Sequence, residues 1–159
     1  MKFRVGFGFD VHQLKQGREL WLGGVHIPHH VGALGHSDAD VLLHAICDAL
    51  LGATALRDIG FHFPDTDPKY KGADSKKLLE EVYALIHSKG WKVENVDATL
   101  CLEKPKINPH VPAMKTCIAA LLHIDEEDVS IKATTNEQMG FIGREEGVTA
   151  YSVALLSKA

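Results

Sequence analysis

Apolar residues alternate with glycine and polar residues over residues 3–10 (FRVGFGFD), a period of two that predicts a strand. The same period puts Asp10 and His12 on one face of it. Residues 19–28 (ELWLGGVHIP) carry apolar runs on either side of Gly23-Gly24, which predicts a hairpin. From residue 38 to 53 the pattern becomes helical. Val41, Ala45, Ala49 and Gly52 fall on one side, and Asp40, His44 and Asp48, spaced i, i+4, i+8, form a polar stripe on another. Ser37 is the expected N-cap, with Asp40 in place of the usual capping-box Glu, so this helix should begin near Asp38.

Residues 61–72 hold two prolines, turn-forming aspartates and a closing Gly72, and read as a loop long enough to act as a lid. Residues 73–89 are the clearest helix, capped by Asp74 or Ser75, with Leu78, Leu79, Val82, Leu85 and Ile86 on one face and Gly90 as the stop. Residues 91–102 alternate as a half-buried strand, residues 103–109 form a proline-bracketed loop, and residues 110–122 return to a helical pattern. A strand at 129–134 runs into Thr134 and Thr135, whose hydroxyls three residues ahead of Glu137 and Gln138 mark a helix N-terminus able to offer N–H groups to phosphate. A last strand spans 148–156. This order predicts an α/β (α+β) sandwich, one domain over residues 1–159, with a mixed sheet covered on one face by helices. The other face, carrying Val96, Ala98, Leu100, Val153 or their neighbours, needs a cover, and an oligomer is the expected one.

Composition removes several classes of partner. The formal charge is −4 with lysines and arginines scattered, so there is no electrostatic footprint for nucleic acid or an anionic membrane. No apolar run approaches a membrane span. The three cysteines are far apart and in no C-x-x-C pair, which argues against a disulfide framework and for a reducing compartment. A cytoplasmic location is expected, or a processed plastid form. His26, His29 and His30 crowd a loop beside Pro28 without ligand spacing and read as solvated, as do Lys69 and Lys71.

The chemistry collects elsewhere. Asp10, His12 and His44 would supply one carboxylate and two imidazoles, a ligand set suited to tetrahedral zinc with the fourth position open, which is the layout of a catalytic site. An isolated D-x-H is common by chance, so the weight rests on context. Asp48 is either a partner orienting a ligand or a solvated helix carboxylate.

The context is a resemblance. Gly8-Phe9-Asp10-Val11-His12, His36-Ser37-Asp38-Ala39-Asp40-Val41-Leu42-Leu43-His44, Asp58-Ile59-Gly60, Phe63-Pro64-Asp65-Thr66-Asp67, Lys71-Gly72-Ala73-Asp74-Ser75, Pro105-Lys106 and Lys132-Ala133-Thr134-Thr135, followed by Glu137, Gly140-Phe141 and Arg144, closely resemble the 2-C-methyl-D-erythritol 2,4-cyclodiphosphate synthase family of non-mevalonate isoprenoid biosynthesis. The resemblance implies a homotrimer whose sheets face the three-fold axis, with active sites between subunits. It implies cyclisation of 4-diphosphocytidyl-2-C-methyl-D-erythritol 2-phosphate with release of CMP. It assigns Zn2+ or a similar ion to Asp10, His12 and His44, and to Glu137 a Mg2+ or Mn2+ ion bridging the substrate diphosphate. His36 and Thr135 take catalytic roles by the same resemblance, and Ser37, Asp58, Gly60, Phe63, Asp65 and Asp67 meet the substrate's phosphate and erythritol half. Leu102, Pro105, Lys106, Ile107 and Asn108 form the cytosine pocket, while Thr134, Phe141 and Arg144 complete the substrate contacts. Leu102 and Lys104 are bulkier than the residues frequent in that pocket. Arg144 and Glu146 match a polar ring that in some relatives closes an axial cavity able to hold an isoprenoid diphosphate. The competing reading is a non-catalytic, zinc-dependent trimer that binds a cytidine nucleotide or an isoprenoid diphosphate without turning it over.

Overall fold

In the computed structural model, which describes all 159 residues, the chain runs β1 (Lys2–Gln16), β2 (Leu20–Leu22), β3 (Val25–Ile27), β4 (Val31–Leu34), α1 (Val41–Ala53), α2 (Ile59–His62), α3 (Ser75–Ser88), β5 (Lys92–Cys101), α4 (Val111–Leu122), β6 (Val129–Thr134), α5 (Gly140–Gly143) and β7 (Gly147–Lys158). Five strands form one sheet in the order β4-β1-β7-β5-β6. All neighbours are antiparallel except β5 and β6, which α4 joins by the crossover that a parallel pair requires. β2 and β3 form the expected hairpin, with Gly23 and Gly24 both at positive φ in its turn. The predicted helix over 73–89 and strand over 91–102 are present, trimmed by one to three residues. β4 was not anticipated, and the region read as a loop from residue 61 contains the end of α2 and a single 3-10 turn at Pro68–Tyr70.

The layers meet through glycine. On the face of β1 turned to α1 stand Gly6 and Gly8, and a Cβ built on either would lie 1.8 Å from a helix carbonyl, that of Ala49 or Ala45 respectively. Small residues opposite, Ala45, Ala49 and Ala53, complete a backbone-to-backbone approach no larger pair allows. The aromatic residues of β1 therefore point the other way. Phe3, Val5, Phe7, Phe9 and Val11 lie on the open face with Tyr151 and Val153 of β7. This corrects the expectation for the uncovered face: Val96, Ala98 and Leu100 are buried beneath the helices, and of the four residues named only Val153 is exposed.

The polar stripe of α1 lies largely inside the protein. Every residue of the helix is buried except Asp48 and Gly52. Its N-cap is Asp40, not Ser37, and it begins at Val41: Ala39 takes a left-handed φ of 58°, and Asp40 Oδ1 accepts the Leu43 N–H at 3.1 Å. The reason is tertiary. The fully buried Asp40 carboxylate also accepts the N–H groups of Gly23 (2.9 Å) and Gly24 (2.7 Å), so one side chain both caps α1 and locks the hairpin turn. Burial raises its pKa against the opposing effect of these hydrogen bonds. Replacing Asp40 with alanine would strand three N–H groups, and the expected loss is about 3 kcal/mol or more of unfolding free energy, read as a lower midpoint in urea. An unchanged midpoint would show that the clamp contributes nothing.

Residues 135–139 also depart from expectation. They form a turn rather than a helix N-terminus, with Glu137 (φ 52°) and Gln138 (φ 61°) both left-handed, and the short α5 starts only at Gly140. The Glu103 carboxylate holds this turn by accepting the Asn136 N–H (2.7 Å) and the Gln138 N–H (3.4 Å), a contact between distant segments that local pattern does not reveal.

Candidate active site

β1 delivers Asp10 and His12 on one face two residues apart, and the close packing of α1 on that strand brings His44 against them. Asp10 Oδ2 lies 2.9 Å from His12 Nε2 and 3.1 Å from His44 Nδ1, and the two ring nitrogens are 3.4 Å apart. Ligands bound to zinc at tetrahedral geometry stand about 3.3 Å from one another. The three donor atoms are thus spaced almost as an ion would hold them, and they are the only such cluster in the chain. The fit extends outward. His12 Nδ1 donates to the Leu34 carbonyl at 3.0 Å, so the neutral ring can present its Nε2 lone pair to a metal bound in the cluster. Leu34 belongs to β4, so the unanticipated strand sets the tautomer of a ligand. The residues present suit a divalent metal.

Electrostatics agree. Burial alone would raise the Asp10 carboxyl, but hydrogen bonds and attraction from both imidazoles outweigh it and hold its pKa at about 2. Burial likewise acts to lower His44, and its hydrogen bond and attraction to Asp10, with Asp40 and Asp38 behind, reverse that and raise it above the ordinary imidazole value. A metal must displace the proton that this raised pKa favours. Metal affinity is therefore expected to fall as pH drops through the raised His44 value, with Asp10 still ionised throughout that window. Calorimetric zinc titrations from mildly alkaline to mildly acid buffer check this, and an affinity flat across that range would contradict it.

Beside the cluster opens a cleft of about 390 Å3, lined by His12, His36, Ser37, His44, Gly60, Phe63 and Asp65 among others. Expected substrate contacts from three separate segments therefore converge on the cluster. Asp67 and Asp58 border the cleft without lining it. The His36 Nε2–H donates to the Asp67 carbonyl at 3.1 Å, while Asp58 is exposed at the start of α2. Asp48 orients no ligand; it accepts the Ile59 N–H at 2.7 Å and anchors α2. A second cleft, of about 410 Å3, is lined by Leu102, Pro105, Lys106, Ile107, Asn108, Thr134 and Thr135 together with Glu103.

The two clefts share no lining residue. Their separation follows from sheet order. Asp10 pairs with Ala150, Ala150 with Leu100, and Leu100 with Ala133, so the cluster and the threonine pair sit in neighbouring rows at one end of the sheet. They stand three strand spacings apart, about 14 Å. Glu137 is exposed beyond Thr135 and joins no metal-capable group within this chain. Phe141 and Arg144 line neither cleft; Phe141 is exposed, and the exposed Arg144 Nε donates to Glu146 at 2.9 Å. The sequence assigns no site role to Glu103, or to Asp38 and Ser75, although the last two lie in the motifs that carry the resemblance. All three were visible as polar residues, but their roles depend on segments more than 30 positions away.

A mixed sheet backed by helices, with a three-residue cluster able to hold a metal opening on a cleft, is the scaffold of an α/β enzyme. The chain belongs to the YgbB family, which it matches over residues 3–157, and is an enzyme of that family. A Cytophaga hutchinsonii protein named 2-C-methyl-D-erythritol 2,4-cyclodiphosphate synthase is 62% identical over 158 residues, covering 99% of both chains. Among solved structures, a 2C-methyl-D-erythritol-2,4-cyclodiphosphate synthase in a CDP-bound form superposes with a TM-score of 0.89 at 39% identity, over 97% of this chain and all of that one. The bifunctional IspDF from Campylobacter jejuni gives 0.95 at 42% identity, over 99% of this chain but only 43% of the longer protein. No helix is long and apolar enough to cross a membrane.

Proposed function

We propose that this chain cyclises 4-diphosphocytidyl-2-C-methyl-D-erythritol 2-phosphate to the 2,4-cyclodiphosphate with release of CMP. The observation that carries the reading is the Asp10, His12 and His44 cluster opening on the cleft of His36 and Ser37, in a chain so similar to proteins named for this reaction. Asp10 Oδ2, His12 Nε2 and His44 Nδ1 would hold Zn2+ or a similar ion, and Glu137 a Mg2+ or Mn2+ ion together with substrate phosphates. Bound there, the metals would supply Lewis-acid polarisation and charge neutralisation at the diphosphate. His36 and Ser37 bind and orient the attacking 2-phosphate, while the Asp58 carboxylate and the Gly60 backbone hold the sugar hydroxyls. Phe63 and Asp65 close the wall and exclude water. Main-chain groups from Leu102 to Asn108 hold the cytosine, with Pro105, Lys106 and Ile107 as walls. Thr134 and Thr135 hydrogen-bond the phosphates, Thr135 assisting as the new P–O bond forms. Phosphorus NMR after incubation with substrate, zinc and magnesium should show the coupled cyclic diphosphate pair and CMP. Bound but unchanged substrate would instead identify a non-catalytic binding protein.

The three strand spacings, about 14 Å, between the metal cluster and the threonine pair support a site shared between copies of the chain, the second copy bringing its own residues 102–108 and 134–137 to the first copy's metal cluster. Burying the open aromatic face at a three-fold axis would provide that arrangement. Light scattering should give the mass of a trimer, and Val5→Glu with Phe7→Glu, placing carboxylates at residues now 67% and 61% exposed, should give monomers without activity. A monomeric unmutated protein would overturn the shared site. Arg144 and Glu146 would then stand near the axis, where an isoprenoid diphosphate is the candidate ligand. Calorimetry with geranyl diphosphate tests it, and absence of binding removes it.

A further inference from the structure

We propose that Ser75 and Asp38 are positioning residues that hold His44 with Nδ1 toward the metal, tying this ligand to the root of the loop that walls the cleft. His44 Nε2 lies 2.8 Å from Ser75 Oγ, on a side chain buried completely, and 3.3 Å from Ser37 Oγ. Donor counting settles the direction of the chain of hydrogen bonds. An ionised carboxylate only accepts, so the Ser75 hydroxyl gives its single proton to Asp38 Oδ1, with which it makes a short contact. Asp38 Oδ2 meanwhile accepts the Ser75 N–H at 3.0 Å. Ser75 Oγ is then left with lone pairs only, and the partner it can take is an N–H on His44 Nε2. Without metal, Asp10 competes for a proton on Nδ1; once a metal takes that position, the remaining proton belongs on Nε2, where Ser75 accepts it.

The same two residues join the segments that form the cleft. Ser75 opens α3 immediately after residues 63–74, and Asp38 follows His36 and Ser37. Between them the Asp38 N–H donates to the Ala73 carbonyl (3.0 Å), and the Gly72 N–H donates to the His36 carbonyl (2.6 Å). Asp74 caps α3 by accepting the Lys76 N–H at 2.9 Å, so removing the Ser75 hydroxyl spares the helix start. The hydroxyl is thus dispensable for the cap but not for the ligand.

The proposal rests on the metal reading above, and its test separates the two. In the zinc-loaded protein with 15N-labelled histidine, the His44 Nε2–H should give a downfield, slowly exchanging proton resonance. In Ser75→Ala that resonance should broaden into exchange with water, and zinc affinity should fall about ten- to a hundredfold, with the circular dichroism spectrum retained. Asp38→Asn, which keeps the hydroxyl but replaces its obligatory acceptor by an amide, should shift the same resonance and weaken zinc in the same direction. A sharp, unshifted resonance in Ser75→Ala, or zinc affinity within about twofold of the unmutated protein, overturns the relay. Failure of the unmutated protein to bind zinc would refute the metal site itself.

Discussion

His44→Ala should abolish zinc binding and lower turnover by about a thousandfold or more, while α1 remains folded. The helix does not depend on this imidazole: alanine is the better helix former, and the cap is supplied by Asp40. The cluster does depend on it. With His44 gone, Asp10 and His12 keep their 2.9 Å contact but offer two ligands where an open zinc site needs three. His36→Ala, by contrast, should retain zinc and lose rate, because its Nε2 meets the Asp67 carbonyl and not the cluster. Metal analysis of the purified variants separates these outcomes, with a thermal melt as the control for folding. Full zinc content in His44→Ala would sink the ligand assignment.

Gly8→Ala should be nearly as damaging, by a different route. A single methyl group placed 1.8 Å from the Ala45 carbonyl and 2.7 Å from the Ala49 nitrogen meets backbone, which cannot rotate aside. The helix must lift from β1, at a cost of about 4 kcal/mol or more. Because Ala45 directly follows His44, lifting the helix also draws Nδ1 away from Asp10 and His12. Stability and metal affinity are therefore expected to fall together. Phe7→Ala, one residue away on the open face, changes far more side-chain volume yet should leave the metal affinity of the chain unchanged. A Gly8→Ala protein that melts and binds zinc as the unmutated chain does would show that the layers can part without consequence.

Much of the fold was legible because its signals are local. The apolar face of α3 with its Asp74 cap, the alternation along β5, the Gly23-Gly24 turn and the placement of Asp10 and His12 on one face of β1 all follow from short-range periodicity and turn chemistry. The identities of the metal-capable residues were legible too, first as a ligand set and then through the resemblance of long, ordered motifs.

The direction of the layers was not legible. Hydrophobicity alone would turn Phe7 and Phe9 inward and leave Gly6 and Gly8 outside. The tertiary structure does the reverse, because contact between the backbones of β1 and α1 requires the absence of Cβ atoms, a constraint set by a helix some 40 residues away. The same holds for single polar groups. Asp40 caps α1 in place of Ser37 because the hairpin also claims its carboxylate, and Glu103 shapes the turn around Glu137 from across the pocket loop. Local sequence determined the main helices and strands, though not β4 or the turn at 135–139, and it picked out Asp10, His12 and His44 as residues that can bind a metal. Only the packing of distant segments decided which face closes, which carboxylate caps, and that Asp10, His12 and His44 lie within a ligand's reach of one another, since those outcomes depend on partners that short-range spacing does not specify.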